Sequence, residues 1–253
     1  MRLEGDIALI TGGGRGIGEA MVRLFAAEGA HVLFCGRRRD LGERVEHEVR
    51  EAGGQATFVR CDVSREGDVI ALARRIEDEH RRLDILVNNA GVSPAGNIED
   101  MPLDAWRNLL DINLTGMFLM TKHAIPLLRG SAHPSIVNLG SIFGEGGAAG
   151  FTAYAMTKAA AMHFTKSLAL ELAPDGVRVN ALCPGATETP LLTEAWEAAD
   201  HGEEGKAAMV ALHPLGRLAK ADEQARAALF LVSRDASFVT GHQLMVDGGY
   251  SAR

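Results

Sequence analysis

Cysteine is nearly absent from this chain of 253 residues. The three present, Cys35, Cys61 and Cys183, are an odd number, lie far apart and form no CxxC pair. They exclude a disulfide framework and read as small apolar residues of a reducing compartment. Histidine offers no metal site either. None of the nine falls in an HxxxH or HExxH pair, and no Cys/His cluster has ligand spacing, so no metal is implied. A basic excess is also missing. The net charge of -7 argues against a nucleic-acid partner, which would need a cationic face. No apolar run approaches the roughly 18 residues that span a membrane. The start, MRLEGDIALI, lacks a basic segment followed by a signal-type apolar core. The expectation is a cytoplasmic protein, with no membrane partner. Aromatic residues are scarce: two tryptophans, two tyrosines and nine phenylalanines.

What is present is an alternation. Short apolar runs at Ile7–Thr11, His31–Cys35, Ala56–Cys61, Asp84–Asn88, Ser135–Leu139, Val177–Leu182 and Gln243–Val246 read as strands. Between them, helical patterns are expected over 17–25, 40–52, 66–80, 104–128, 152–172 and 221–233. Residues 190–212 are acidic and irregular. Continuous apolar strands separated by helices predict a parallel sheet covered on both faces. Right-handed crossovers then give an α/β, Rossmann-like, doubly wound fold. No repeat or linker interrupts residues 1–253, which read as one domain.

Two stretches carry chemistry. The first is TGGGRGIG, residues 11–18, between the first strand and the first helix. It is neither GxGxxG nor a Walker A loop, since no GK[ST] follows. Gly12, Gly16 and Gly18 suit a tight turn, close approach of a pyrophosphate and close helix packing, with the helix N-terminus facing the phosphates. The second strand ends in Gly36, followed by Arg37, Arg38 and Arg39, where an NAD site usually has a carboxylate for the ribose 2′-OH. Cations without that acid suit a 2′-phosphate, and Arg15 is within the same turn. NADP(H) is therefore expected, with NAD(H) as the alternative; a solvated helix start would also account for the arginines.

The second stretch is SIFGEGGAAGFTAYAMTK, residues 141–158. Lys158 follows Tyr154 by four residues, which on a helix puts both on one face. An ammonium beside a phenol favours phenolate, so the Tyr154 pKa is expected below its usual value of about 10. A tyrosine tuned in this way is a general acid/base. A strand end would bring the Ser141 hydroxyl to it.

Taken together, TGGGRGIG, CDV (61–63), NNAG (88–91), Asn113, Ser141, YAMTK (154–158) and PGATET (184–189) resemble the classical short-chain dehydrogenase/reductase family over essentially the whole chain. The resemblance implies that Tyr154 exchanges a proton with the substrate oxygen and that Lys158 lowers its pKa and binds the nicotinamide ribose. It implies that Ser141 hydrogen-bonds the substrate oxygen and that Asn113 holds a water linking Lys158 to solvent. The implied cofactor set is Gly12, Arg15, Gly16, Ile17 and Gly18 of the turn, Arg37, Asp62 and Val63 at the adenosine, Asn89, Ala90 and Gly91 in the cleft, Tyr154 and Lys158, and Pro184, Gly185, Thr187 and Thr189 beside the nicotinamide. Asn89 could instead join strands, and Asn113 could kink its helix. The resemblance also implies a homotetramer packed through the helices near 104–128 and 152–172, and Ala159, Met162 and Ala169 suggest a face for it. His163 reads as an interface or core residue, and Trp106 and Met117 as packing.

Three stretches are expected to wall the pocket: Ser93–Gly96, Ile142–Phe151 and a lid at about 186–213. The first two carry Pro94, Ala95, Ile142, Phe143 and Phe151, with Glu145 as their only charge. The third sets Glu194, Glu197, Asp200, Glu203 and Glu204 against Lys206. With no bidentate arginine for an anion, the substrate is expected to be a neutral, mostly apolar ketone or its secondary alcohol. The main alternative is a 3-oxoacyl-[acyl-carrier-protein] reductase. Arg129 could dock the acidic carrier, but Leu170 stands where a basic residue often lies. A nucleotide-binding regulatory protein without chemistry would be expected to have lost Ser141, Tyr154 or Lys158, and all three are present.

Overall fold

The computed structural model describes residues 1–198 and 202–252, with the side chains of 195–203 left out. Its strands are β1 (Ile7–Thr11), β2 (His31–Gly36), β3 (Gln55–Arg60), β4 (Ile85–Asn88), β5 (Ser135–Leu139), β6 (Arg178–Pro184), β7 (Thr187–Glu188), β8 (Ala219–Lys220) and β9 (Gln243–Val246). Its helices are α1 (Gly16–Ala27), α2 (Arg39–Glu51), α3 (Glu66–His80), α4 (Leu103–Leu110), α5 (Gly116–Leu128), α6 (Ile142–Glu145), α7 (Thr152–Leu172), α8 (Pro190–Ala198), α9 (Gly202–Ala211) and α10 (Ala221–Val232). The main sheet runs β3-β2-β1-β4-β5-β6-β9, and every pairing in it is parallel. Chain order reverses between β1 and β4, and that switch point opens a crevice at the carboxyl ends of the strands.

The apolar runs are continuous because both faces are covered. Ala8, Ile10, Val32, Phe34, Ile85, Val87 and Val137 point into one core with α1, α2 and α10. The residues between them, Leu9, Leu33, Cys35, Leu86 and Ile136, point into the other with α3, α5 and α7. A one-residue slip in register would exchange the two sets.

The expected helix over 104–128 is not uniform. A π turn at Asp111–Thr115 separates α4 from α5. The extra residue per turn places Asn113 inward and buried. The proposed interface face also needs correction. Met162 and Ala169 are buried in their own chain's core, where helix-spaced positions on α7 meet the sheet, and of the three only Ala159 is exposed. His163 is exposed, so it is not a core residue, while Met117 is buried and Trp106 half-buried. Asp200 lies outside the described residues, as do the side chains of Glu197 and Glu203.

Candidate active site

The glycine turn is closed from both sides. Gly12 and Gly16 have φ of +69° and +58°, which glycine adopts without strain. Gly18 has no room for a side chain, since a Cβ would lie 2.3 Å from Gly12 O and 2.5 Å from Asn89 Nδ2. Asn89 is the fastener. Its Nδ2 donates to Thr11 O (2.8 Å) and Gly12 O (3.2 Å), and its backbone N–H donates to Thr11 Oγ1 (3.0 Å). Ala90 N–H donates to the same hydroxyl (2.9 Å). Asn89 therefore does join β4 to the turn. Arg15 stands at the N-cap of α1 with no side-chain cap, so the first N–H groups of that helix face the crevice. This cradle suits the pyrophosphate of a dinucleotide. Ile17 is half-buried against the core of that helix. Arg15 forms an ion pair with Glu194 of α8.

At the end of β2 a Cβ on Gly36 would meet nothing within 4 Å, so the space is open. Arg37, Arg38 and Arg39 beside it are exposed. Burial works against the Asp62 carboxylate, yet the Ser64 hydroxyl (2.7 Å) and amide (3.1 Å) and the charges of Arg37 and Arg65 hold its pKa below the ordinary value. Val63 is buried under Gly116, whose Cβ would fall 2.7 Å from it.

The second half of the site gathers at the ends of β4, β5 and β6. Ser141, one residue beyond the Gly140 that follows β5, caps α6 by accepting from Phe143 N–H (3.1 Å). Its side chain also hydrogen-bonds Tyr154. Gly144 lets α6 lie on the backbone of α7, with a Cβ there only 2.8 Å from Lys158 C. Lys158 is buried, donates to Leu139 O (2.7 Å) and sits 5.6 Å from the centroid of the Tyr154 ring. A Cβ on Gly91 would come within 3.8 Å of its Nζ. Ser141, Tyr154 and Lys158 thus meet as the spacing suggests.

The electrostatics differ from expectation. Burial pushes the Tyr154 phenol up to about 12, only partly opposed by the hydrogen bond to Ser141. Burial also pulls Lys158 down to about 8. Desolvation outweighs the attraction that would have lowered the phenol. A neutral Tyr154 at physiological pH is a proton donor. Asn113 is engaged by protein groups: Oδ1 accepts from Val92 N–H (2.9 Å), and Nδ2 donates to Val92 O (3.0 Å) and Thr157 Oγ1 (3.1 Å). It pins the β4 exit to the turn of α7 that carries Lys158.

On the far wall, Thr187 donates to Gly185 O (2.9 Å) and accepts from the buried Gln224. The Thr189 methyl closes over Gly16, where a Cβ would lie 3.3 Å from it. Pro184 ends β6. Gly96 N–H donates to Gly150 O (2.8 Å), tying together two of the three pocket stretches.

Sequence reasoning missed several residues. Asn88 and Asn138, bonded at 2.8 Å, link β4 and β5 inside the core and continue to Thr121 and Thr165. His213 receives Ala186 N–H at Nε2 (3.1 Å) and donates from Nδ1 to Met209 O (2.8 Å), so one imidazole clasps both ends of the 186–213 segment. Tyr250 packs on His213 and Phe143. Its only signal in the sequence was that it is the second of two tyrosines.

Comparison with known proteins agrees with this architecture. Residues 12–251 match the family model described as enoyl-(acyl carrier protein) reductase. The chain is 40% identical over 247 residues to a cis-4-hydroxycyclohexanecarboxylate dehydrogenase of Sinomonas cyclohexanicum, covering 97% of this chain and 96% of that protein. It is 38% identical over 251 residues to a cyclopentanol dehydrogenase of a Comamonas species, covering 99% of each. The ligand-free aldohexose dehydrogenase of Thermoplasma acidophilum superposes with a TM-score of 0.91 at 36% identity, covering 99% of this chain and 96% of that one. With the crevice, the glycine cradle and the Ser–Tyr–Lys cluster, these matches establish that the chain belongs to the short-chain dehydrogenase/reductase family of NAD(P)-dependent oxidoreductases.

Proposed function

We propose that the protein is an NADP(H)-dependent oxidoreductase that interconverts a neutral, mostly apolar ketone and its secondary alcohol. The observation that carries this reading is the hydrogen-bonded Ser141–Tyr154 pair with Lys158 buried beneath it, facing the crevice that the glycine turn borders. In the reducing direction Tyr154 gives its phenolic proton to the substrate oxygen. Ser141 donates to that oxygen as charge develops on it. Lys158, when protonated, stabilises the phenolate left behind, and Asn113 keeps the Lys158 turn in register. The nicotinamide, when bound, supplies the hydride chemistry. Gly12, Arg15, Gly16, Ile17, Gly18, Asp62, Val63, Asn89, Ala90, Gly91, Pro184, Gly185, Thr187 and Thr189, together with Tyr154 and Lys158, would hold the dinucleotide as a whole, with Asp62 and Val63 at its adenosine. Open space at Gly36 with Arg37 beside it favours the 2′-phosphate.

Phe143, Phe151 and Tyr154 supply apolar surface at the pocket, and the 186–213 segment serves as its lid. Relatives named for a hydroxycyclohexanecarboxylate, a cyclopentanol and an aldohexose suggest a ring-shaped substrate; the first of these is a carboxylate, so the proposed neutral character rests on the pocket stretches alone. The carrier-protein reading is disfavoured because Leu170 is 80% exposed and Arg129 is paired with Asp175 at 2.8 Å. The test is a panel of cyclic ketones, linear ketones, oxo acids and a 3-oxoacyl thioester, each with NADPH and NADH. Neutral ketones with NADPH are expected to give the highest kcat/KM. A preference for NADH, for oxo acids or for the thioester would overturn the corresponding part of the proposal.

A further inference from the structure

Aromatic side chains are few, yet both tyrosines and two of the nine phenylalanines gather in one place. Phe143 lies 5.4 Å from Phe151, and 6.5 Å from both Tyr154 and Tyr250, measured between ring centroids. Tyr250 lies 5.4 Å from the His213 ring. As whole residues Phe143, Phe151, Tyr154 and Tyr250 are each half-buried. Phe143 is therefore the hub through which Phe151 and Tyr250 join the Tyr154 ring.

Tyr250 is held there by a built turn. Beyond β9, the Asp247 carboxylate accepts from Gly249 N–H (3.0 Å), Ser251 N–H (2.8 Å) and Ser251 Oγ (2.6 Å). Tyr250 N–H donates to Asp247 O (3.2 Å), and Leu215 N–H donates to Gly248 O (3.1 Å). The ring that Tyr250 packs on is itself fixed, since His213 is bonded at both nitrogens. Tyr250 thus touches Phe143 of the 142–151 stretch and His213 at the base of the lid. It is brought there by a segment far from both in sequence.

We propose that Tyr250 is a specificity-determining residue, completing an aromatic wall that selects an alicyclic secondary alcohol or ketone over a linear one. This inference rests on the ketone/alcohol reading above. A saturated ring presents a broad, rigid set of C–H bonds to aromatic faces and edges and loses little conformational entropy on binding. A linear chain of equal carbon number covers less of the wall and loses more.

The experiment compares kcat/KM for cyclohexanone and 2-hexanone, with NADPH, in wild type, Tyr250→Ala, Tyr250→Leu and Tyr250→Phe. Thermal unfolding and NADPH affinity are measured on each variant. The cyclic-to-linear ratio is expected to fall about tenfold or more in Y250A and Y250L, the scale of a lost apolar contact in a substrate pocket. Y250F should keep the ratio within about threefold, with NADPH affinity unchanged in all three. Y250L retains apolar bulk, so it isolates the ring if Y250A folds poorly. An unchanged ratio in Y250L overturns the inference while leaving the parent reading intact. A wild type that reduces no neutral ketone overturns both.

Discussion

Burial governs the electrostatics of both Lys158 and Tyr154. It pulls the Lys158 ammonium down from its usual 10.5 to about 8. The unfolded chain binds this proton more tightly than the folded one, so the cost to stability is fully present below about pH 8. It is relieved as pH rises toward 10.5. Lys158→Met removes the titration. Between pH 7 and 10, wild type should gain roughly 2–3 kcal/mol relative to this variant in urea unfolding. A constant difference would mean that Lys158 is not desolvated. Gly18 makes a steric prediction of the same kind. Gly18→Ala puts a methyl 2.3 Å from Gly12 O, and should cost about 1–3 kcal/mol in stability along with much of the NADPH affinity. At this scale the sequence was legible where chemistry follows from spacing, as with Tyr154, Lys158 and the glycines. It was not legible where burial decides, because a four-residue interval says nothing about dielectric. The expected lowering of the Tyr154 pKa was reversed for that reason.

Among elements, the strands were the easiest to read, because a sheet covered on both faces needs unbroken apolar runs. Ser135–Leu139 and Gln243–Val246 have the expected ends. The π turn at Asp111–Thr115 was not visible, since an inserted residue leaves the apolar pattern of a long helix nearly unchanged. The clasp by His213 and the turn holding Tyr250 were hidden for another reason: both depend on contacts between segments remote in sequence. The β2 end carries the cofactor prediction. Arg37→Asp removes a cation and supplies the acceptor that a ribose 2′-OH prefers. It should lower kcat/KM with NADPH about tenfold or more while sparing or improving NADH. Equal losses with both cofactors would mean that Arg37 does not read the 2′ position.

At the scale of the molecule, Phe118, Met156 and Leu170 are exposed on α5 and α7. Ile98, Met101, Leu103 and Trp106 line an apolar dish around the start of α4. Among the described residues no helix is long and apolar enough to cross a membrane. We propose a closed homotetramer, the assembly that the family resemblance implies. Light scattering should give the mass of four chains, and Phe118→Lys should shift it toward smaller species. A wild-type monomer would contradict this.

The central claim is that Tyr154 passes the proton while the rest of the crevice binds. It is tested most directly by Tyr154→Phe, measuring NADPH-dependent ketone reduction together with NADPH affinity. Turnover should fall by about 10²–10⁴-fold, with the NADPH Kd nearly unchanged. Retention of wild-type turnover in a variant that still binds NADPH would contradict the account.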